Sequence, residues 1–304
     1  MTNSLYQTTQ WKNACIRNGK VSVNFPYLIA FEEDRKIPFF KRLSILTAEG
    51  MPNLSDKHKI VQALNEFKEK SNRYSYGTIY PPVVNPSDNL FKEAGFKKVT
   101  NYTCLINLKK TTDELLRSLE KKSARWGVKT GQKNGLTFNL AKSKSEVKDF
   151  YKLYQKTAES GGFKATSYEF IEYLADTEIS KLFLVKRNNE ILAGGLLLVD
   201  HWNNYSVINL TASSEEGQKL QSMPFLYWNL ILYSKGLKLN YLDLGGYDKE
   251  AYKGDKTYSI NKFKENFGGE VVEQPIYSTN WKYPLIRKVF KRFKTLRYIF
   301  WRSR

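Results

Sequence analysis

Cysteine and histidine are scarce in this 304-residue chain, which has two of each. Cys15 and Cys104 are too few for a disulfide framework, and with His58 and His201 they form no cluster with the spacing of a metal site. The sequence therefore predicts no structural zinc or other metal centre, and no nucleophile based on Cys or His.

Long apolar runs are also absent. No stretch approaches the roughly 18 uninterrupted apolar residues that identify a membrane-spanning helix. The first 30 residues do not combine a charged start, an apolar run and a small-residue cleavage site, so no secretory signal is predicted. Apolar residues still make up 41% of the chain, as in folded proteins. We therefore expect a cytoplasmic protein that does not cross a membrane and is long enough for two domains.

Acidic residues are outnumbered by basic ones. The chain has 30 Asp and Glu against 49 Lys and Arg, which gives a formal net charge of +19. A field of this sign attracts polyanions. The composition is compatible with tRNA, a phosphorylated substrate or an anionic membrane face as partner, and it does not choose among them.

The C-terminal segment 282–304 contains nine basic residues and no acidic one. A helix that begins after Pro284 would carry apolar side chains on one side and basic side chains on the other. Such a helix either lies on an anionic membrane surface through residues 284–304 or packs its apolar stripe on the body of the protein. The stripe consists of Ile286, Val289, Phe290, Phe293, Leu296 and Phe300, and the basic side of Arg287, Lys288, Lys291 and Lys294.

The two halves of the chain end in the same way. In NLFKEAGFKKV (89–99), a short helix ends at Gly95, which suits a left-handed cap, and a strand follows. In YSINKFKENFGGEVV (258–272), the run from Phe263 to Asn266 takes the place of the run from Phe91 to Ala94, and an aromatic residue, a glycine and a strand follow again. Because both halves mix helix and strand patterns, we interpret the chain as a distant duplication of an α/β domain.

Three motifs resemble the FemABX family of peptidoglycan bridge aminoacyltransferases. The junction from Tyr102 to Phe138 is similar to the family's order of a strand, a charged helix, basic residues and a glycine before the next strand. The segment Tyr241–Gly246 resembles its aspartate-glycine-glycine strand end, and Phe263–Gly268 resembles its Phe-Lys-x-x-Phe-Gly motif. The basic and glycine positions of the junction fall on Arg125, Lys129, Lys133 and Gly135.

This resemblance implies an α/β fold of two tandem GNAT-like (acyl-CoA N-acyltransferase-like) domains, with mixed central sheets flanked by helices. The expected parts are a first domain over 1–110, a basic junction helix over 111–135, a second domain over 136–282 and a basic amphipathic helix over 283–304. No long helical pair interrupts the second half, so the chain resembles a compact form of the family that lacks the coiled-coil arm.

The resemblance also implies a role in peptidoglycan biosynthesis, and hence in cell wall biogenesis. The expected reaction moves an amino acid from aminoacyl-tRNA, a co-substrate, to an amine of an anionic cell-envelope precursor, and it forms an amide bond. That precursor would be a peptidoglycan stem peptide linked to a nucleotide or a lipid. We expect a tRNA-dependent cytoplasmic enzyme without a further cofactor, peripheral on the inner face of the cell membrane if its C-terminal helix binds there.

Lys264 is the predicted electrostatic stabiliser of this reaction. Aminoacyl transfer needs a neutral attacking amine, a stabilised tetrahedral oxyanion and a proton for the leaving ribose hydroxyl. A lysine between Phe263 and Phe267 has restricted solvation and a fixed direction, which suits it to meet the developing negative charge. The resemblance implies that Phe263 helps to shape the aminoacyl pocket. The alternative for Lys264 is an ordinary solvated lysine on a helix face.

The strand end at Asp243 is the second predicted part of the site. Asp243 either orients the attacking amine and accepts its proton, or caps the loop that follows. Gly245 and Gly246 would let a substrate approach the backbone closely. Tyr205 is expected either in the core or in contact with substrate.

Phosphate-binding residues are predicted on the junction, with one departure elsewhere. Arg125, Lys129 and Lys133 recur every four residues, so they would line one helical face that binds phosphates or that simply faces solvent. Ser160 stands before Gly161–Phe163, where many members of the family carry an arginine that resembles a phosphate ligand. Its absence puts the usual nucleotide- or lipid-linked acceptor in question.

Two alternative functions remain open. One is an N-acyltransferase that uses an acyl-CoA donor on an amino sugar of a capsule or glycolipid. Ordinary GNAT domains bind the CoA pyrophosphate on a glycine-rich turn that opens a helix, but here Gly217 precedes Gln218-Lys219, and Ser222–Pro224 stands where glycines are wanted. The other is a non-catalytic protein that binds tRNA or membrane, for which Lys264→Ala would leave function intact.

Overall fold

Helices and strands are interspersed along the chain, and the computed structural model describes residues 4–35, 42–84 and 87–292. None of the helices in these ranges is long and apolar enough to cross a lipid bilayer. The helices are α1 (Thr9–Arg17), α2 (Lys57–Ser71), α3 (Asp88–Glu93), α4 (Thr112–Ser118), α5 (Ala124–Lys133), α6 (Lys144–Gly161), α7 (Tyr168–Ala175), α8 (Glu215–Lys219), α9 (Ser222–Gly236), α10 (Lys256–Asn266) and α11 (Lys282–Arg292). The strands are β1 (Val21–Val23), β2 (Ala30–Arg35), β3 (Leu43–Glu49), β4 (Tyr76–Tyr80), β5 (Lys97–Asn107), β6 (Thr137–Leu140), β7 (Ser180–Arg187), β8 (Glu190–Asp200), β9 (Tyr205–Ser213), β10 (Tyr241–Tyr247) and β11 (Glu270–Ser278).

The chain forms two compact units that are not continuous in sequence. The first contains the described residues up to 100, residues 161–170 and the described residues from 274, and the second contains 101–160 and 171–273. These limits differ from the expected breaks near 110, 135 and 282. The reason is an exchange of strands: β5, which ends the first half of the sequence, pairs with β10 in the second unit, and β11, which ends the second half, pairs with β4 in the first.

The first unit has a mixed sheet in the order β1-β2-β3-β4-β11, in which only β3 and β4 are parallel. Helix α2 contributes to its core because its apolar residues recur at helical spacing, with Ile60, Leu64 and Phe67 all buried. The carboxylate of Asp56 accepts a hydrogen bond from the Lys59 backbone N–H at 3.0 Å and so caps the start of this helix.

The parallel between the two chain halves extends to backbone conformation. Gly95 after α3 has a φ of +71°, and Gly268 after α10 has a φ of +73°. Glycine adopts this left-handed region without the steric cost that a Cβ brings. The predicted left-handed glycine is confirmed at Gly95, and the same device ends the helix that carries Lys264.

The second unit has a mixed sheet in the order β5-β10-β9-β8-β7-β6, in which β9 and β10 are the parallel pair. Strands β7 and β8 form a hairpin that turns at Asn188 and Asn189, whose φ values of 49° and 65° are those that tight hairpin turns require. Leu242 and Leu244 of β10 both lie in the unit's hydrophobic core. Asp243, between them, therefore projects from the opposite face of the strand.

Two glycines bring helices α5 and α9 of this unit into close contact. A Cβ added at Gly127 would lie 2.8 Å from the Cβ and Cγ of Pro224, and one added at Gly131 would lie 2.9 Å from the Cβ of Phe225. Real Cβ atoms do not approach other atoms so closely, so each position requires glycine. The predicted single junction helix is thus two helices, and the second of them is packed against the body of the unit.

The C-terminal helix α11 is partly core. It begins at Lys282, one turn earlier than expected, and its Tyr283 is fully buried with its ring centroid 5.1 Å from that of Tyr76. Ile286, one member of the predicted stripe, packs on the same cluster as Tyr283. The side chain of Phe290 and residues Phe293, Leu296 and Phe300 lie outside the described residues.

We expect Tyr283→Ala to lower the free energy of unfolding by about 3 kcal/mol or more, because truncation of a buried aromatic residue leaves a cavity. The matched control is Leu285→Ala on the same helix, where the side chain is 48% exposed and the change should stay within about 0.5 kcal/mol. Urea-induced unfolding of both variants measures the difference. Equal effects of the two changes would contradict the packing of α11 on the first unit.

Candidate active site

The candidate site lies in the second unit, at the end of strand β10. Asp243 pairs with Leu105 of β5, and Gly246 pairs with Thr103, so that two residues of β10 face one residue of β5 between these pairs. This is a β-bulge, and Gly245 within it has a φ of +88°. A bulge interrupts the regular ladder and redirects backbone groups, and here it frees the carbonyl groups of Gly245 and Gly246 for a side chain.

That side chain is Lys264 of α10. It is only 7% exposed, and its Nζ donates hydrogen bonds to the carbonyl oxygens of Gly245 at 2.9 Å and Gly246 at 2.6 Å. Burial lowers the pKa of Lys264 below its ordinary value, while the negative charge of Asp243 acts in the opposite direction. An ammonium group has three N–H donors, so one of them makes no hydrogen bond to the described residues. The alternative of a solvated lysine on a helix face is excluded by this burial.

Asp243 is the second buried charge, with 2% of its surface exposed. Its carboxylate accepts hydrogen bonds from the hydroxyls of Thr103 and Tyr205 and, at 2.7 Å, from the Gly245 backbone N–H. Burial raises the pKa of Asp243, and the three hydrogen bonds and Lys264 partly offset this rise. Asp243 therefore both caps the loop that follows it and supplies a counter-charge to Lys264.

Aromatic rings pack around the other side of α10. The Phe263 ring centroid lies 4.9 Å from that of Tyr227 and 5.1 Å from that of Phe267. Phe267 and Tyr227 are buried, and burial raises the pKa of Tyr227 to about 12, so this tyrosine stays neutral. The three rings pack against one another, and Phe263 also lines a pocket.

The pocket has a volume of about 550 Å³ and is lined by the start of α5, the segment from α8 to the start of α9, and α10. Phe263 and Phe267 form part of its apolar lining, and Trp126 and Tyr258 add two more rings. Lys264 is not among the lining residues. The two neighbours in the motif therefore face different surroundings: Phe263 faces the pocket and Lys264 the bulge.

The predicted basic row on α5 does not act as one surface. The Arg125 guanidinium donates to the carbonyl oxygens of Arg117 at 2.5 Å and Leu119 at 3.0 Å, so it holds the backbone between α4 and α5. Lys129 and Lys133 are exposed. Arg125 is thereby removed from the predicted phosphate-binding face.

The start of α9 bears on the acyl-CoA alternative. Its N-cap residue, Gln221, has a φ of +63° and makes no side-chain cap, and Pro224 in the first turn has no N–H to offer. Gly127 of α5 lies against Pro224. This helix start is thus short of the free N–H groups that would cradle a pyrophosphate.

Ser160 lies in the last turn of helix α6, where the family resemblance leads us to expect an arginine. Its hydroxyl donates to the Thr157 carbonyl oxygen at 3.1 Å. The Nζ of Lys256, at the start of α10, donates to the Ser160 carbonyl oxygen at 3.4 Å. A cation thus stands beside this position, although it comes from another element.

Among the predicted residues, the structure brings together Lys264, Asp243, Tyr205, Gly245 and Gly246, whereas Phe263 lies on the neighbouring face of α10. Sequence reasoning missed two residues. Thr103 is a polar residue within a strand of buried neighbours, which is a recognisable but weak signal. Trp126 is an aromatic residue within a basic helix, and its exposure of 53% became evident only in the structure.

Part of the chain matches a known protein family. Residues 90–185 match the model of the FemAB family. No curated protein matches the sequence. The matched range contains α4, α5 and Thr103 of strand β5, and hence part of the candidate site.

Solved structures with a similar fold cover nearly the whole chain. The crystal structure of FemX has a TM-score of 0.71 at 18% identity and covers 95% of each chain. The C-terminal domain of a putative lysylphosphatidylglycerol synthetase from Agrobacterium fabrum has a TM-score of 0.65 at 13% identity and covers 93% of this chain and 90% of that one. L-PGS from Bacillus licheniformis has a TM-score of 0.64 at 13% identity, with both chains fully covered. The predicted mixed α/β fold, with mixed sheets and flanking helices, is confirmed.

We expect Asp243→Ala to lower the free energy of unfolding by about 3–5 kcal/mol, because it leaves the buried Lys264 ammonium without its counter-charge and three donors without an acceptor. The double variant Asp243→Ala/Lys264→Met should lose less than the sum of the two single losses, since it leaves neither charge alone. Urea-induced unfolding of the three variants gives this coupling.

The milder Asp243→Asn keeps the measurement possible if Asp243→Ala fails to fold. Asp149→Ala is the matched control, because Asp149 is an exposed carboxylate paired with Lys152 at 2.8 Å. It should change the free energy of unfolding by no more than about 0.5 kcal/mol. Additive losses in the double variant would mean that the two buried charges do not depend on each other.

Proposed function

From the match of residues 90–185 to the model of the FemAB family, we propose that this chain is an aminoacyltransferase that moves an amino acid from aminoacyl-tRNA to an amine of a cell-envelope precursor. The family match and the fold support a transferase related to peptidoglycan. The donor, the acceptor and the aminoacyl group are our proposal. The observation that carries it is the buried Lys264 ammonium, which is anchored by two carbonyl groups and has one N–H to spare.

The proposed reaction exchanges an ester for an amide. The neutral amine of the acceptor attacks the ester carbonyl carbon, and a tetrahedral intermediate with a negative oxygen forms. The bond from that carbon to the ribose oxygen then breaks, the ribose oxygen receives a proton, and the nitrogen loses one. No step needs an oxidant, a reductant or a metal, so the residues at the site have only to stabilise charge and position groups.

Lys264 is the group that stabilises the negative charge. A fixed donor in a site of low polarity is worth more than one in water, because it does not have to reorient as the charge develops. The two carbonyl groups of the bulge hold the ammonium in place without neutralising it. Its lowered pKa also makes it a better proton donor than an ordinary lysine, which suits the step at the leaving ribose oxygen.

Asp243 acts on the reaction through Lys264. Its oxygens are occupied by Thr103, Tyr205 and the Gly245 N–H, and only 2% of its surface is exposed. This geometry favours a positioning role over direct proton transfer from the substrate amine. Asp243 shapes the bulge that presents the two carbonyl groups, and its charge favours the protonated form of Lys264.

The overall charge supports a polyanionic donor. The net charge of +19 favours association with tRNA, whose phosphate backbone dominates such binding. Lys129 and Lys133 stay exposed on α5, and we assign them to phosphate contacts in the second unit. The acceptor in this proposal is an amine of a peptidoglycan stem peptide linked to a nucleotide or a lipid. With Ser160 in place of an arginine, its phosphate would need a different cation, for which Lys256 is the nearest candidate.

The test of the donor uses purified protein, total tRNA charged with labelled amino acids, and an extract of membrane and soluble precursors as acceptor. We expect transfer of label that is lost after ribonuclease treatment. Acetyl-CoA is supplied in a parallel reaction. Transfer from acetyl-CoA instead would overturn the aminoacyl proposal and keep the fold.

Lys264→Met should lower kcat by about 10²-fold or more and leave tRNA binding unchanged, as expected when one stabiliser of the transition state is removed. The wild-type rate should also fall on the alkaline side at a pH below the ordinary lysine pKa of 10.5, because the ammonium form is required. Lys148→Met, at an exposed lysine on α6, is the matched control and should retain the wild-type rate. Full activity of Lys264→Met would favour a non-catalytic binding protein.

We also propose that the first unit attaches to the inner, anionic face of the cell membrane through the outward side of α11. Trp281 and Leu285, one helical turn apart, are 63% and 48% exposed, and Lys282 and Lys288 beside them are exposed too. An apolar pair flanked by lysines suits a surface of acyl chains and negative headgroups. This pair differs from the stripe predicted from the sequence, whose Ile286 packs inward.

Sedimentation with vesicles that contain phosphatidylglycerol tests this attachment. We expect the double variant Trp281→Ser/Leu285→Ser to bind at least about tenfold more weakly than wild type, because apolar surface no longer enters the bilayer. Tyr283→Phe, on the buried side of the same helix, should bind as wild type does. Unchanged binding of the double variant, or equal binding to vesicles of phosphatidylcholine alone, would rule this surface out.

A further inference from the structure

Trp126 is an exposed aromatic side chain at the edge of the pocket in the second unit. It is 53% exposed, although a tryptophan gains more than most residues from burial. It lines the pocket of about 550 Å³ together with Phe263 and Tyr258 of α10. Its indole N–H has no hydrogen-bond partner within the described part of the chain. A large ring held at a pocket in this way offers a flat face to a ligand.

The direction of Trp126 is set by the packing of α5. Gly127 and Gly131 hold one face of this helix against Pro224 and Phe225 of α9, and neither position accepts a side chain. The helix therefore cannot rotate to bury Trp126 without loss of that contact. The exposure of the ring is a property of the packed helix and not of a loose segment.

Positive charge surrounds the same pocket. Lys122 and Lys262 both line it, and Lys122 has no ion-pair partner among the residues that the structure describes. Lys262 is paired with Glu265 at 2.5 Å. Ser123 and Ala124, at the start of α5, also line the pocket, and Ser123 makes no side-chain cap for the helix. The start of a helix favours an anion, because its backbone N–H groups point outwards. Of these groups in α5, the Arg125 N–H is bonded to the Glu120 carbonyl oxygen at 3.0 Å.

A ring and a phosphate-binding group side by side are what a nucleotide requires. We propose that Trp126 stacks against a nucleobase and that Lys122, with the start of α5, binds the adjoining phosphate. Single-stranded nucleic acids bind to proteins through this combination of aromatic stacking and basic side chains. A purely apolar ligand would leave the lysines unused.

This proposal rests on the proposed function for its source of nucleotide, which is the single-stranded 3′ end of the charged tRNA. Phe263 lines the pocket and is the neighbour of Lys264 in α10, so the pocket and the bulge are each contacted by one of two consecutive residues. The nucleotide of a nucleotide-linked acceptor has the same chemistry. The experiment below separates the two sources.

The experiment measures binding alone and needs no transfer activity. A fluorescently labelled, single-stranded RNA of a few nucleotides that ends in CCA is titrated with the full-length protein and followed by anisotropy. We expect Trp126→Ala to weaken binding about 10-fold or more, since stacking of one base is worth about 1–3 kcal/mol, and we expect Trp126→Phe to retain most of the affinity. Trp202→Ala, at a tryptophan of similar exposure (49%) in the same unit, is the matched control and should bind as wild type does.

Lys122→Ala should weaken binding of the same RNA and reduce the dependence of log affinity on log salt concentration by about one unit, as the loss of one phosphate contact predicts. Uridine diphosphate is tested as a competitor in a second arm. Weak binding of the RNA together with binding of uridine diphosphate that depends on Trp126 would support the stacking site and assign it to the acceptor. The proposal would be overturned if Trp126→Ala and Trp202→Ala bound RNA with equal affinity and also bound uridine diphosphate with equal affinity.

The binding result and the transfer result are independent. If the protein transfers no amino acid but binds RNA through Trp126, the proposed function is wrong and the nucleotide site is supported. If wild type and Trp126→Ala transfer amino acids equally well at tRNA concentrations below saturation, the proposed function is supported and the nucleotide site is wrong. Circular dichroism of each variant confirms that the exposed positions leave the fold intact.

Discussion

The candidate site depends on the pairing of two buried charges across the bulge in strand β10. Desolvation of a carboxylate or an ammonium costs several kcal/mol, which a single ion-pair contact does not offset unless the remaining polar atoms are also bonded. Here the bulge supplies the missing partners: one N–H for Asp243 and two carbonyl groups for Lys264. The irregular strand end is therefore the condition under which both charges can be buried.

The hydrogen bonds around Asp243 and Lys264 involve four elements of the second unit: β5, β9, β10 and α10. Strand β5 contributes Thr103, β9 contributes Tyr205, and α10 contributes Lys264, so all of them must be in register with Asp243. The glycine pair after α10 belongs to the same constraint, because a Cβ at Gly269 would lie 2.3 Å from the sulfur of Cys104 on β5. The Phe-Gly-Gly sequence is thus a packing requirement beside the site as well as the end of a helix.

Short sequence motifs predicted those features of the structure that depend on residues close together in the chain. The glycine after a short helical pattern predicted the left-handed cap at Gly95, and the motif around Phe263 and the Asp-Gly-Gly strand end predicted the two charges. What they could not predict is pairing between distant strands, so the exchange of β5 and β11 and the role of Thr103 came only from the structure. The hydrogen bonds of Arg125 could not be predicted either. Its acceptors are backbone carbonyl groups, and the recurrence of basic residues every four positions says nothing about them.

The arrangement of α10 explains how one short motif serves two purposes. Consecutive helical residues point about 100° apart, because an α-helix has about 3.6 residues per turn. Phe263 can therefore line the pocket while Lys264 reaches the bulge. A shift of α10 that moved the ring would move the ammonium as well, so the contents of the pocket and the geometry of the charged pair are linked through one rigid element. Binding in the pocket and stabilisation of charge at the bulge therefore both depend on the position of α10.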